Sequence, residues 1–338
     1  MELKAEKTKQ IDETDSKILN TLLIESRTSF TELAKISRIS VTAAIRRYNR
    51  LKKTGIICGE HMHINPLSVG YESIAEIGIM TDLADKEKAA QALSKRQSIR
   101  IETFTAASSL GKYNIYGQLR ARKLAELTQL VQRIDIKPFT KSLDILIFAD
   151  LWNNPWHPEN LVVKPSEREN FIVKTRKCIP KFEHVALDEI DKRIMKMLME
   201  NSRIVFKDIA EKTKISTKNV IQRYQFLREK NVLNLSTISV DLFKLGYNAI
   251  LDIYINVDNR GTLHEVEAQL LQTPNLVFCA KFVGGAYDLR VAIILSNFED
   301  VFRLKKQINS IENIRKTEFY LHEIPGPWPS DILSPTLL

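Results

Sequence analysis

The sequence is poor in cysteine and contains no long apolar run, and both absences exclude classes of protein. Its three cysteines, at positions 58, 178 and 279, are far apart and odd in number. They fit reduced thiols in the cytosol better than a disulfide framework or a zinc site. No apolar run approaches the roughly 18 residues of a membrane span, and charges occupy the first seven residues, where a signal peptide has its apolar core. We therefore expect a cytoplasmic protein without a membrane partner.

Catalytic and nucleotide-binding motifs are absent as well. The sequence has no Gly-x-Ser-x-Gly, no Walker loop and no dinucleotide fingerprint. We expect no enzyme activity, no catalytic residue, no cofactor and no metal. Glycine and proline number only 11 each among 338 residues, and with 44% apolar residues the chain is globular, with two to four domains. The formal charge of +9 and a pI near 9.3 favour a polyanionic partner.

A strongly basic stretch from Thr31 to Lys53 predicts a helix-turn-helix. It holds seven Lys or Arg and no acid from Leu33 onward. Its second helix has an inner stripe at helical spacing, made of Ala44, Ile45, Tyr48 and Leu51. The outward positions are Thr42, Ala43, Arg46, Arg47, Asn49, Arg50 and Lys53. Ser40 is the expected N-cap. A cationic helix here suits the major groove of DNA, and a solvated basic face is the alternative.

The chain contains this stretch twice, at a constant offset of 176 residues. Ile11-Asp-Glu-Thr-Asp15 returns as Leu187-Asp-Glu-Ile-Asp191, and Ile45-Arg-Arg-Tyr48 returns as Ile221-Gln-Arg-Tyr224. Roughly 20 of about 70 ungapped positions are identical, which indicates duplication of a whole module. The acids that open each copy, such as Asp15 and Asp191, lie where a helix N-terminus favours negative charge, so they need no catalytic role.

Each copy continues from the helices into short strands and then into an alternating pattern. The strands predicted at Ile56 to Ile64 would form a wing. The order strand, helix, strand, strand, helix, strand follows in residues 74–149 and again in 247–322, which predicts ferredoxin-like units. A capping box of Ser296 with Glu299 is expected to start one helix of the second unit. The fold class is α+β, with two winged helix-turn-helix domains alternating with two ferredoxin-like (βαββαβ) domains. The predicted domains are 1–64, 65–150, 186–240 and 241–324, with a linker at 151–185 and a tail at 325–338.

These motifs resemble the Lrp/AsnC family of leucine-responsive and asparagine-synthesis regulators. The second copy carries Leu187-Asp-Glu-Ile-Asp-Lys-Arg-Ile194, Asn201-Ser-Arg203, Lys230-Asn-Val-Leu233 and Leu245-Gly-Tyr247 in the family's order. The resemblance implies a DNA-binding regulator that pairs two sensing domains through their sheets and binds an amino-acid-like effector. Pairing within one chain, as a pseudo-dimer, and pairing between chains, as a homo-oligomer, both remain open. Double-stranded DNA is the expected partner.

The predicted DNA contacts lie on the two second helices of the helix-turn-helix units. They are Ser40, Thr42, Ala43, Arg46, Arg47, Arg50, Lys53, Ser216, Thr217, Lys218, Asn219, Gln222, Arg223 and Arg228. Arg47 and Arg223 lie near the inner stripe, so pairing with an acid of the first helix is the alternative for them. Base-facing positions differ between the copies, with Arg46 and Arg50 in one against Gln222 and Phe226 in the other. Arginine suits guanine and glutamine suits adenine, so two unlike half-sites are expected.

The resemblance also implies an effector site at Gly284, Gly285, Tyr287 and Asp288, with Gly111, Tyr113 and Asn114 in the first copy. An ordinary hairpin turn is the alternative. Trp156 and Trp328 follow the two units in similar Pro-Trp segments and are expected to cover a sheet edge or core end, with ligand capping as the alternative. His61-x-His63 lacks a third ligand for a metal. Two alternatives to the regulator stay open, namely a DNA-independent sensor or scaffold and a sirohaem-decarboxylase-like enzyme. In that enzyme the sensing domain forms a tetrapyrrole pocket lined with His and Arg, and no such cluster is evident in strand segments such as 278–283.

Overall fold

The first copy consists of a three-helix head followed by a four-stranded unit. The computed structural model describes residues 11–82, 84–94, 99–102, 113–134, 140–150, 155–161, 163, 185–324 and 326–329. The helices of the first copy are α1 (Glu13–Ile24), α2 (Phe30–Ser37), α3 (Val41–Lys53), α4 (Lys86–Ser94) and α5 (Leu124–Ile134). Its strands are β1 (Ile57–Ile64), β2 (Ser73–Met80), β3 (Ile99–Glu102), β4 (Ile115–Ala121) and β5 (Ser142–Phe148).

The second copy repeats this order. Its helices are α6 (Glu189–Glu200), α7 (Phe206–Thr213), α8 (Thr217–Glu229), α9 (Leu263–Leu270) and α10 (Glu299–Asn309). Its strands are β6 (Leu233–Val240), β7 (Ala249–Val257), β8 (Leu276–Val283), β9 (Leu289–Leu295) and β10 (Ile314–His322). The predicted α+β class and the duplicated order are confirmed. Of the helices in the described residues, none is both long and apolar enough to span a membrane.

Local sequence signals set the helix ends of both heads. Asp12 caps α1 and forms a capping box with Asp15, and the equivalent box in α6 joins Asp188 and Asp191. Ser40 accepts a hydrogen bond from the Ala43 N–H at 3.1 Å, as predicted. The capping box predicted at Ser296 is wrong, because Phe298 is the N-cap of α10 and makes no side-chain capping bond.

The segment predicted to form a wing is one strand that pairs with the other copy. β1 does not fold back on its own head but runs antiparallel to β6 of the second copy, with His61 opposite Thr237. Met62 and Ile64 of β1 are buried in the core of the second head, whereas Leu235 and Ile238 of β6 are buried in the core of the first. Each head therefore completes its core with the other copy's strand, a pairing that no periodicity within one copy can reveal.

The ferredoxin-like units form one eight-stranded sheet in the order β10-β7-β9-β8-β5-β2-β4-β3. Four strands come from each unit, and the units meet where Ile147 of β5 pairs with Val283 of β8. One side of each unit packs on its own helices, so that Ile253 contacts the cluster of Val266 and Leu304. The face of each unit that does not pack on its helices is turned towards the other unit. Side chains from these two faces form a shared interior, which includes Tyr254 of β7 and Tyr116 of β4. The two ferredoxin-like units thus pair within the chain.

The tryptophans of both Pro-Trp segments pack against each other at this shared interior. The ring of Trp156 lies 5.1 Å from that of Phe278 and 5.7 Å from that of Trp328. The backbone of Trp328 pairs with Val240 at the end of β6. Trp156 and Trp328 are both buried, so the predicted structural role is confirmed. The rest of the predicted linker pattern, including its basic run, lies outside the described residues.

Candidate nucleic-acid interface

The recognition helices α3 and α8 start from equivalent tight turns. Arg38 and Lys214, which end the preceding helices, both adopt left-handed backbone conformations, with φ of 56° and 59°. Ser40 and Ser216 then cap the recognition helices, the second accepting from the Asn219 N–H at 3.2 Å. The first turns of α3 and α8 are therefore held rigidly, and the next side chains project from them into solvent.

One face of each recognition helix is open. On α3 the exposed members are Val41, Thr42, Ile45, Arg46, Asn49, Lys52 and Lys53. The exposed members on α8 are Thr217, Lys218, Asn219, Gln222, Gln225, Phe226 and Glu229. Within the described residues no ion pair involves Arg46, Lys53 or Lys218. These three predicted phosphate contacts are free to approach DNA, and Ala43 lies half-buried beside them.

The predicted inner stripe of α3 is correct at three of its four positions. Ala44, Tyr48 and Leu51 are buried, whereas Ile45 is 38% exposed and belongs to the outer face. The error has a geometric cause. Because α-helical residues are spaced by about 100°, the arc covered by the three buried residues leaves Ile45 at its edge. The apolar character of Ile45 was therefore a misleading indicator of burial.

The remaining predicted cations are bound to acids of the protein. Arg47 contacts Asp12 at 2.6 Å and Asp15 at 2.9 Å, and Arg223 contacts Asp188 at 2.8 Å and Asp191 at 2.7 Å. The alternative stated for these two arginines, pairing with acids at the start of the first helix, is confirmed. Although its partial burial acts in the opposite direction, the pKa of Asp12 is lowered by the Asp15 N–H and Arg47.

Arg50 and Arg228 are also paired. Arg50 contacts the buried Asp15, and Arg228 reaches Glu25 of the other head at 2.8 Å. A cavity of about 300 Å³ opens beside the Arg50–Asp15 pair, lined by Asp12, Asp15, Arg46, Arg47 and Arg50. DNA contacts by the four paired arginines stay predictions, and they require each guanidinium to serve a phosphate and a carboxylate together.

The two heads are locked to each other by reciprocal contacts. Ser26 and Ser202, which are equivalent residues, share a hydrogen bond of 2.6 Å. Arg27 donates to the carbonyl oxygens of Ser202 and, at 3.0 Å, Ile204, while Arg203 makes the equivalent bonds to the first head. Arg27 also lies 4.2 Å above the ring of Phe206. The spacing and orientation of α3 and α8 are therefore fixed within one chain.

The predicted effector residues are occupied by contacts within the protein. Tyr287 donates to Glu318 at 2.7 Å, and Asp288 accepts from Arg260 at 3.0 Å and from the Val257 N–H at 3.1 Å. Gly284 and Gly285 have φ of 73° and 83°, as the hairpin alternative requires.

In the first copy Tyr113 donates to Asp144, and Asn114 bonds to Thr81. Gly111 lies outside the described residues. Effector binding at these positions stays a prediction.

A buried ionic cluster between the ferredoxin-like units was missed by sequence reasoning. Arg290 contacts Glu76 of the first copy at 2.7 Å and Asp252 at 3.0 Å. His322 Nε2 lies 3.1 Å from the same Asp252. The statement that the inner strands hold no Arg with His is therefore wrong, since β9 and β10 bring them together. Glu76 and Asp252 are equivalent residues of the two copies, because they are 176 residues apart. This repeated acid within a strand was the sequence signal that could have revealed the cluster.

The pKa values of the two carboxyl groups in this cluster are shifted in opposite directions. Burial and repulsion from Asp252 raise the pKa of Glu76 despite the Arg290 charge. Asp252 is equally buried, yet Arg290 and His322 outweigh that burial and lower its pKa to about 2. Arg290 is thus compensated from both copies, and Tyr254 donates to Glu76 at 3.3 Å. Among the described residues, no group of three or more His, Cys, Asp or Glu side chains is arranged to hold a metal ion.

Comparisons with known proteins agree with this architecture. An AsnC-type helix-turn-helix model matches residues 187–228, and a winged helix-turn-helix DNA-binding model matches residues 11–57. The HTH-type transcriptional regulator FL11 of Pyrococcus furiosus is 30% identical over 131 residues, 39% of this chain and 85% of that protein. An uncharacterised HTH-type regulator of Pyrococcus abyssi is 29% identical over 135 residues, 40% of this chain and 90% of that protein.

A solved structure has the same fold along nearly the whole chain. The siroheme decarboxylase NirDL superposes with a TM-score of 0.61 over 92% of this chain and 91% of that one, at 16% identity. This likeness concerns the fold alone. The heads and paired sheets define a duplicated protein of two helix-turn-helix units and two ferredoxin-like units. The chain belongs to the Lrp/AsnC family.

Proposed function

We propose that this protein is a sequence-specific, double-stranded-DNA-binding transcriptional regulator that reads the major groove with two unlike recognition helices. The observation that carries the proposal is the rigid linkage of α3 and α8 through β1, β6 and the arginines of the two heads, with both outer faces open. A pseudo-twofold pair of such helices suits a site whose half-site centres lie about 34 Å apart. An amino-acid-like effector would modulate the binding, and the protein would act in the cytoplasm.

Selection of bound sequences from a random DNA pool tests this proposal. We expect an imperfect palindrome, with guanine favoured in the half-site of Arg46 and adenine in the half-site of Gln222. Exchanging the outer residues of α8 for those of α3 should make the selected site more symmetric. Recovery of no motif, or of a fully symmetric one, would contradict the proposal.

Salt dependence tests the phosphate contacts independently. A variant with Arg46, Lys53 and Lys218 changed to Ala should bind more weakly and lose up to about 0.9 from the salt slope for each contact removed. These residues make no described ion pair, so folding should be unchanged. The matched control changes Lys88, Lys123 and Lys306 to Ala, three exposed lysines of the ferredoxin-like units. Equal slopes in both variants would count against the assigned face.

A tetrapyrrole decarboxylase is the second candidate, favoured by the cluster of Arg290, His322 and Tyr116 between the ferredoxin-like units. One observation argues against this candidate. The positive charge of Arg290 is already balanced by two carboxylates, so it would attract an acidic ligand only weakly. Mixing the protein with sirohaem discriminates the two. A spectral shift that is lost in His322→Ala would support the enzyme, and an unchanged spectrum would support the regulator.

A further inference from the structure

The recognition helix of the first head exposes an apolar strip that the DNA contacts predicted from sequence leave out. Val41 is 40% exposed and Ile45 is 38% exposed. They are four residues apart, so they are neighbours on one side of α3. Ile45 was expected in the core, and Val41 had no assigned role. Two adjacent branched apolar side chains in solvent are unfavourable unless a partner covers them.

The surroundings of this strip are those of a DNA-reading surface. Thr42 and Arg46 are exposed beside it on the same first turns of the helix. At the equivalent positions of the second head stand the polar Thr217 and the half-buried Ile221. An apolar partner for these two helix positions is therefore expected at the first half-site and not at the second.

Only one feature of the major-groove edges of DNA bases matches this chemistry. Residues in the N-terminal half of a recognition helix reach the base edges, and among these edges thymine alone carries an apolar group, its C5 methyl. We propose that Val41 and Ile45 together hold a thymine methyl group in the first half-site. This inference rests on the proposed DNA-binding function and adds a specificity-determining contact to it.

The test replaces each thymine of a selected site, one at a time, by deoxyuridine, which removes the methyl group and keeps the base pair. Burial of one methyl group corresponds to about a fourfold change in affinity. We expect one or two thymines in a single half-site to show this loss with the unchanged protein. In Ile45→Ala the same substitution should have little further effect, because the methyl group has lost its contact.

Two controls keep the outcomes distinct. Ile24→Ala removes an equally exposed isoleucine, 42% exposed, that lies at the end of α1 and outside the recognition helix. This variant should retain the full deoxyuridine effect, and thermal unfolding should show that both variants fold. DNA bound with no deoxyuridine-sensitive thymine, or with the same sensitivity in Ile45→Ala, overturns the thymine contact alone. Failure to select any DNA overturns the proposed function together with it.

Discussion

The buried ionic cluster between the ferredoxin-like units gives a quantitative prediction for Arg290→Met. The substitution keeps much of the side chain's volume but leaves Glu76 and Asp252 in the interior without the guanidinium that contacts both. Removing one partner of a buried ion pair costs about 3–5 kcal/mol. We therefore expect the free energy of unfolding at pH 7 to fall by about that amount. Urea unfolding followed by tryptophan fluorescence measures it, because Trp156 and Trp328 are buried beside this interior.

The pH dependence of the same variant separates a charge effect from a packing effect. The pKa of Asp252 is lowered from 3.8 to about 2 in the folded protein. A lowered pKa contributes stability above pH 3.8, and that stability is lost as the pH falls from 3.8 towards 2. The difference of nearly two pKa units is worth about 2 kcal/mol. Arg290→Met lacks this contribution, and protonation relieves its buried carboxylates.

The gap in stability between the two proteins should therefore be largest at pH 7 and narrow by about 1 kcal/mol at pH 3, where about half of the Asp252 contribution is lost. Arg303→Met is the matched control, because Arg303 is exposed and pairs with Asp300 at 2.9 Å. An exposed pair is worth about 0–1 kcal/mol, so this control should change little at either pH. A gap for Arg290→Met that is equal at pH 7 and pH 3 would refute the electrostatic account and leave only packing.

Three further predictions concern the contacts between the two copies. Arg27→Ala, and equally Arg203→Ala, should lower the free energy of unfolding by about 2–4 kcal/mol in urea titrations, from charged hydrogen bonds and ring contacts; a loss below about 0.5 kcal/mol, usual for a surface site, would contradict the lock. Gly285→Ala should be more destabilising than Gly284→Ala, because a β-carbon at position 285 overlaps the backbone of β5, whereas one at position 284 meets open space. Equal melting temperatures of the two variants would contradict this. Residues 1–150 alone should self-associate in light scattering, since β1 and the inner sheet face lose their partners; a folded monomer would contradict the account.

The helices and most strands could be predicted because local chemistry determines them. Ser40 caps α3 through its own hydroxyl, and the alternation from Ile74 onward defines β2 whatever it pairs with. Duplication gave further support, since each pattern occurred twice with the same spacing. β8 was predicted at the observed boundaries, from Leu276 to Val283.

The pairing between copies could not be predicted, because periodicity states which face of a strand is buried but not what buries it. Met62 and Ile64 carry the same alternation in a wing hairpin as in the observed pairing with β6. The buried ionic cluster escaped for a related reason. Its acids recur at the 176-residue offset, whereas the strand register places Tyr116 and Phe148 at the positions of Arg290 and His322. A search for repeated cations could not find partners that only one copy has.

This asymmetry connects the buried cluster to the DNA face. In a symmetric dimer every substitution appears twice, so an arginine placed against two carboxylates near the axis would bring a second arginine with it. A fused pair can place Arg290 on one side and Tyr116 on the other. The same freedom operates on the recognition helices, where Arg50 pairs with Asp15 while its counterpart Phe226 is 41% exposed. Each half depends on the other for its core strand, yet each can change its surface alone. Divergence is therefore expected to concentrate on the outer faces of α3 and α8, as the proposed DNA site with two unlike halves requires.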